Sequence, residues 1–268
     1  MSEPVSGAAR EAADWWATGI VRMAPGVVEL RGIPVQELIG SVDFVSMIWL
    51  MVRGELPEAR RASLLEAALV ASVDHGPQAP SIAIARMTAT CGVGLNNAMA
   101  SGVNALGDSH GGAGQQCVEA LTDIVALEDD GTDLAAAAER VAGRYRYVPG
   151  FGHRFHPVDP RRDPLLALVD RAVAEGVVAG RHLRAARALE TFLNGAKAKP
   201  VPMNIDGATA VIYAELGFAP ALARGLFVLS RSVGILAHAW EETTAGKRNK
   251  GPVPRSILPT YREDTAAR

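Results

Sequence analysis

A chain of 268 residues, 49% hydrophobic and 21% charged, is long enough to bury one large core or two modest ones, which excludes a disordered or fibrous polymer. Its formal net charge of -2 gives no overall attraction to nucleic acid or to an anionic membrane surface. Cys91 and Cys117 lie in helix-like apolar surroundings without a CxxC or Cys/His spacing, so two packed, reduced thiols are expected rather than a disulfide or a metal site. The opening MSEPVSGAAREAADWWATGI lacks a basic segment followed by an apolar run, and no stretch reaches the roughly 18 uninterrupted apolar residues of a membrane span, so a cytoplasmic location is expected.

Along the chain, nearly every segment long enough to carry a period carries the helical one. In 42–53 Phe44, Ile48 and Met51 mark one face; in 63–75 Leu65, Ala68, Leu69 and Ser72 mark another, with Gly76-Pro77 as the stop. From Ile82 to Leu106 small residues dominate, which suits a buried helix whose neighbours approach closely. Further helices are predicted over 115–127, 132–144, 163–178 and 181–194, and over 207–216 after Asp206, an acidic residue suited to a helix start. In 219–241 Leu222, Leu226, Leu229, Val233, Leu236 and Trp240 form an apolar stripe that belongs to a core or a subunit interface. Only VVEL at 27–30 and YRYV at 145–148 hint at strands, so the fold class is all-α.

Breaks cluster at PGVVELRGIP, GDSHGG, VPGFGHRFHPVDPRRDP and NGAKAKPVPMNIDG, and the last three carry a histidine or an aspartate among glycines and prolines. Loops of that kind present side chains to a ligand from a rigid scaffold. Taken singly, each residue has an ordinary structural reading. His110 could close one helix before the next, His153 could be a turn residue, Asp206 an N-cap, and His75 a favourable partner for a helix C-terminus. The set as a whole is what points to a site. No phosphate-cradling GxxxxGK[ST], no HExxH and no internal repeat occurs, and GVGLNNAMASG lacks both the preceding strand and the glycine spacing of a dinucleotide fingerprint.

The motifs DHGPQAPS, GDSHGGAG, GFGHR with DPR, MNIDG and FVLSRSVGILAH stand in the order found in the citrate synthase superfamily, which the chain resembles from about position 27 to about 262. The resemblance implies a two-domain helical fold with a cleft between the domains, the large domain taking 1–111 and 212–268 and the small one 112–211, in a homodimer. It implies either of two chemistries: condensation of an acyl-CoA with a 2-oxo acid, or cleavage of a citryl-CoA-type thioester. DHGP, NIDG and FVLSRSVG look like the lyase module of ATP-citrate lyase, the chain is much shorter than ordinary citrate synthases, and it lacks an ATP-grasp portion, so a stand-alone citryl-CoA lyase is the expected activity. His110 before GGA, however, is a synthase feature, which keeps a citrate or 2-methylcitrate synthase as the alternative. A non-catalytic acyl-CoA or tricarboxylate sensor is a further one.

By the same resemblance His110 serves the thioester oxygen, His153 the hydroxyl that becomes a ketone, and Asp206 the carbon that gains or loses a proton. The acid's carboxylates fall to Arg161, Arg231 and Arg255, the last from the partner subunit, with His75 as a further donor; arginine's planar fork matches carboxylate geometry. Coenzyme A, required only as part of the substrate, would find phosphate partners in Lys197 and Lys199 and in Lys247, Arg248 and Lys250, although solvated surface charge is an equally simple reading of the last three. No metal and no further cofactor is implied.

Overall fold

The computed structural model describes residues 7–153, 157–196, 199–251, 255–257 and 259–263. The chain divides into two compact units, Met1–Glu66 and Ala67–Arg268, with the division inside one helix. The first unit holds α1 (Gly7–Trp15), a small antiparallel sheet of β1 (Val21–Ala24), β2 (Val27–Leu30) and β3 (Ile33–Pro34), then α2 (Val35–Leu38), α3 (Phe44–Arg53) and the start of α4 (Ala59–Ser72). The sheet pairs Val21 with Leu30 and Glu29 with Pro34, and Arg22 faces Glu29 across it at 3.2 Å. VVEL at 27–30 is therefore a strand, as expected. Its partner VRMA shows no legible alternation because three of its four residues are exposed.

In α3 the expected inward face is wrong. Phe44 is 79% exposed and the buried residues are Trp49 and Leu50, with the guanidinium carbons of Arg53 and Arg61 over the indole at 5.6 and 5.5 Å. The helix starts at Asp43, whose side chain accepts from Ser46 N at 2.8 Å. The face read for α4 holds: Leu65, Ala68, Leu69 and Ser72 are all buried.

The second unit is helical. It continues with α5 (Pro80–Ala89), α6 (Leu95–Asn104), α7 (Ala113–Asp129), α8 (Leu134–Ala142), α9 (Arg162–Ala174), α10 (Arg181–Ala196), α11 (Ile205–Glu215) and α12 (Pro220–Thr244). The alanine-rich run from Ile82 to Leu106 is two helices rather than one, broken after Ala89 by Gly92 in the left-handed region and restarted at Gly94. YRYV at 145–148 is irregular loop rather than strand.

α5, α6 and α12 pack together around Ile82, Ala85, Ala98, Ile235 and Ala239. The small residues there have the expected purpose: a methyl group on Gly102 would stand 2.8 Å from Ser81 O and 3.1 Å from Ala85 Cβ, so only glycine lets α6 lie this close to α5. A second group forms around α7, which touches α8, α10 and α11, with α9 against α11. α12 contacts α7 as well, so it backs both groups. Its buried face is Ala223, Leu226, Phe227, Ser230, Arg231, Gly234, Ile235, Ala239 and Glu242. Of the apolar stripe read from the sequence, Leu226 is buried, whereas Leu229, Val233, Leu236 and Trp240 are exposed. The stripe is thus not this chain's core.

Candidate active site

Four loop segments and α12 converge on a cavity of about 300 Å³. Ser72 and His75 come from the end of α4, Asp108 to Gly111 from the turn before α7, Gly152 and His153 from the loop after α8, Asn204 to Asp206 from the start of α11, and Phe227 and Arg231 from α12. All four histidine and acid positions singled out in the sequence, His75, His110, His153 and Asp206, therefore line one space. A wider chamber of about 770 Å³ shares His75, Ser109, His110 and His153 with it and adds Gln78, Asp159 and Arg161.

His110 sits in a tight turn closed by Gly107 N donating to His110 O at 2.9 Å. Its Nε2 accepts from the backbone N–H of Ser81 at 3.0 Å and lies 2.9 Å from Ser81 Oγ. An amide cannot accept, so Nε2 is the unprotonated nitrogen and the neutral ring carries its hydrogen on Nδ1. Ser81 is in the first turn of α5, where the helix dipole opposes a positive charge. Burial and then the Arg231 charge lower the pKa of His110 below its ordinary value. The ring is held as a neutral donor.

His75 and His153 are neighbours, with ring centroids 6.0 Å apart. Burial, then Arg161, Arg231 and His153, lowers the pKa of His75, so it too is a neutral hydrogen-bonding group near neutral pH. Arg231 is 5% exposed: Nε donates to Ser72 O at 3.1 Å and the guanidinium carbon lies 4.8 Å from the Phe227 ring centroid, one turn earlier. Those contacts fix the fork of a residue that lines the cavity. Arg161 lies in the wider chamber, gripped by Asp159 through Nε to Oδ1 and Nη2 to Oδ2, both at 2.9 Å. Burial alone would raise the Asp159 carboxyl, but the Arg161 hydrogen bonds and charge, with Ile205 N–H, hold it down at about 2.

Asp206 is not the N-cap of α11, as its position suggested; Asn204 is, its Oδ1 accepting from Asp206 N at 2.9 Å and Gly207 N at 3.2 Å. The approach to Asp206 is fastened residue by residue. Met203 N donates to Glu190 Oε1 at 2.7 Å, Asn204 N to Gly150 O at 2.9 Å, and Ile205 N to Asp159 Oδ2 at 3.2 Å. Glu190 is itself paired with Arg162 Nη2 at 2.5 Å, so the adjacent arginines 161 and 162 each anchor an acid that holds this strand-like approach. Gly207 completes the fit: a Cβ there would stand 2.4 Å from Gly150 O. Burial raises the pKa of Asp206, opposed by the charges of Arg231 and Arg161. A carboxyl that keeps its proton more readily than usual, beside neutral imidazoles and fixed guanidinium groups, is equipped for proton transfer at carbon.

The remaining expectations fare unevenly. Lys199 is exposed on the segment before Asp206, while Lys197 and the Arg255 side chain lie outside the described residues; the Arg255 backbone forms a 3-10 turn, Arg255–Ile257. Lys247 and Arg248 line a separate cavity with Thr90, Cys91 and Glu242, which shares no residue with the two above. Lys250 Nζ is 2.8 Å from the buried Glu242 carboxylate, which Arg86 also meets at 2.5 Å. That lysine has a structural partner of its own. Cys117 is buried as expected, but Cys91 is exposed, because it falls in the break between α5 and α6 rather than inside a continuous helix. Sequence reasoning missed Asn204, Ser81, Asp159 and Glu190; only Asn204 carried a local signal, an N-cap residue type directly before IDGAT.

The family described as citrate synthase, C-terminal domain, matches residues 57–255. Citrate synthase of Haloferax volcanii is 28% identical over 213 residues, 79% of this chain and 55% of that protein. The glyoxysomal citrate synthase of Cucurbita maxima is 32% identical over 222 residues, 79% of this chain and 41% of that protein. The chain thus spans about half or less of the length of these relatives. Among solved structures, citryl-CoA lyase from Hydrogenobacter thermophilus superposes with a TM-score of 0.81 at 31% identity, covering 92% of this chain and 95% of that one. ATP citrate lyase from Methanothrix soehngenii, solved with citrate and coenzyme A, shares the fold with a TM-score of 0.79 at 18% identity over 46% of its length. With nearly 200 consecutive residues matched and the helical fold shared, the chain belongs to the citrate synthase family.

Proposed function

We propose that this protein cleaves a citryl-CoA-type thioester into an acyl-CoA and a 2-oxo acid such as oxaloacetate. The observation that carries the reading is the convergence of His110, His153 and Asp206 on one cavity that Arg231 and His75 also line. The near end-to-end superposition with the Hydrogenobacter citryl-CoA lyase supports cleavage over condensation. In this reading the hydroxyl of the substrate gives its proton to His153, and the electron pair of the O–H bond forms the ketone. The carbon–carbon bond breaks, and its pair moves onto the thioester as an enolate whose oxygen accepts the Nδ1 hydrogen of His110. Asp206 then protonates the enolate carbon, and the proton on His153 returns to Asp206 through solvent. Arg231, Arg161 and His75 hold the carboxylates of the acid, with Arg255 of a second subunit closing the site in a homodimer. Lys199 and Lys197 lie on the segment leading to Asp206, where phosphates of coenzyme A could meet them.

Condensation uses the same groups in reverse, and the retained His110 favours it as the second reading. The two are separated by following oxaloacetate released from citryl-CoA with a coupled dehydrogenase, and free thiol formed from acetyl-CoA plus oxaloacetate. Cleavage at the faster maximal rate is expected; a condensation rate far above it would make the protein a synthase, and tight binding without turnover in either assay would make it a sensor. Asp206→Asn keeps the shape and removes the transferable proton, so turnover should fall by about 10²–10⁴-fold with the fold intact. Undiminished turnover in that variant would remove Asp206 from the mechanism.

A further inference from the structure

The loop carrying His153 and the helix carrying Asp206 are separate in sequence, and the side chain of Asn204 bridges their backbones. Asn204 uses both ends of its amide. Oδ1 accepts from Asp206 N and Gly207 N, which fixes the first turn of α11, while Nδ2 donates to Gly152 O at 2.7 Å, the carbonyl directly before His153. The backbone joins in: Asn204 N donates to Gly150 O at 2.9 Å and Gly152 N to Pro202 O at 2.7 Å, and Phe151 bridges to Met203. The two segments thus form a short ladder that the Asn204 side chain closes at the end nearest the cavity. Backbone bonds set the spacing of the two segments. Among the described residues two side chains reach across: Asp159 Oδ2 accepts from Ile205 N and lies 3.9 Å from His153 Nε2, while the Asn204 amide ties the peptide next to His153 to the peptide of Asp206.

We propose that Asn204 is a positioning residue that fixes the separation of His153 and Asp206, two groups which must act on an oxygen and a carbon bonded to the same carbon of one substrate. This rests on the function proposed above. Aspartate or serine would cap α11 equally well, since both supply the accepting oxygen, so capping does not explain why an amide stands here. An aspartate, however, would set a second acceptor against Gly152 O, and a serine has no arm to reach it.

The test uses the full chain with Asn204→Ser as the main variant and Asn204→Ala as the variant that loses both functions. Asn204→Ser should melt within about 3 °C of the parent because the cap survives. Its kcat for thioester cleavage should fall roughly 10²-fold, the effect of a misplacement near 1 Å, with KM changed less than about threefold. Asn204→Ala should show the same kcat loss and a lower melting temperature. A purely structural cap would leave Asn204→Ser with the parent's kcat, and that result overturns the proposal. If the parent turns over no such thioester, the functional reading fails by itself. The tether is then read from the ¹³C resonance of the His153 ring, assigned with His153→Asn: a shifted or broadened signal in Asn204→Ser supports it, and an unchanged one overturns it.

Discussion

At the scale of single residues, the chemistry turns on where protons are held. Burial raises the Asp206 carboxyl above the ordinary carboxylate range, while Arg231 and Arg161 pull it back. In the proposed mechanism condensation requires Asp206 ionised, so it should lose rate as pH falls through that raised value; cleavage requires it protonated, so it should lose rate as pH rises through the same value. Arg231→Gln removes an opposing positive charge and is expected to move both limbs to higher pH, read from rate profiles at saturating substrate. Limbs that stay in place would assign the titration to another group. The residues that line the cavity and are proposed to carry this chemistry were legible because each histidine or acid interrupts a helical pattern with glycine and proline around it. Their supports were not. Asp159 and Glu190 look like ordinary charges in sequence, and only folding brings them to the N–H groups of Ile205 and Met203.

At the scale of elements, helical periodicity located α3 to α12 to within a few residues wherever burial follows one face. It failed where burial is two-sided or absent. The small-residue run at 82–106 looks continuous because alanine and glycine suit both α5 and α6, and the break lies in backbone conformation rather than hydrophobicity. The stripe on α12 misled because the buried face sets Leu226, Phe227 and Ile235 among alanine, glycine, serine, Arg231 and Glu242, and the small and charged residues dilute its apolar signal. The start of α11 is the tightest junction. Gly207→Ala would place a methyl 2.4 Å from Gly150 O and 2.5 Å from Met203 Cγ, and the first of these is backbone that hydrogen bonds hold in place. A loss of about 1–3 kcal/mol is expected in equilibrium unfolding, with activity reduced because Asp206 precedes the displaced residue. Parent-like stability would show that the ladder can part without cost.

At the scale of the molecule, Leu229, Val233, Leu236 and Trp240 expose 40–58% of their surface along one side of α12, a row of large apolar groups that fits the second of the two roles read for the stripe, a subunit interface rather than a core. If Arg255 enters the partner's site, two inactive variants should restore each other. Mixing Asp206→Asn with Arg255→Gln and allowing subunits to exchange should recover about a quarter of the parent rate, because half of the dimers are mixed and each has one intact site. No recovery, with exchange verified by mass, would place both residues in sites built from a single chain. One feature of the pocket reaches beyond rates. Because the amide of Ser81 occupies Nε2 of His110 at the head of a helix, that ring can lend its hydrogen to an oxygen but is poorly placed to relay one onward. In the proposed mechanism every hydrogen newly attached to carbon then arrives through the Asp206 carboxyl, on one side of the planar enolate. In heavy water the released acetyl group should gain a single deuteron per turnover, and a tritium-labelled substrate should yield a chiral methyl of one handedness; a racemic methyl would mean that solvent itself reaches the carbanion.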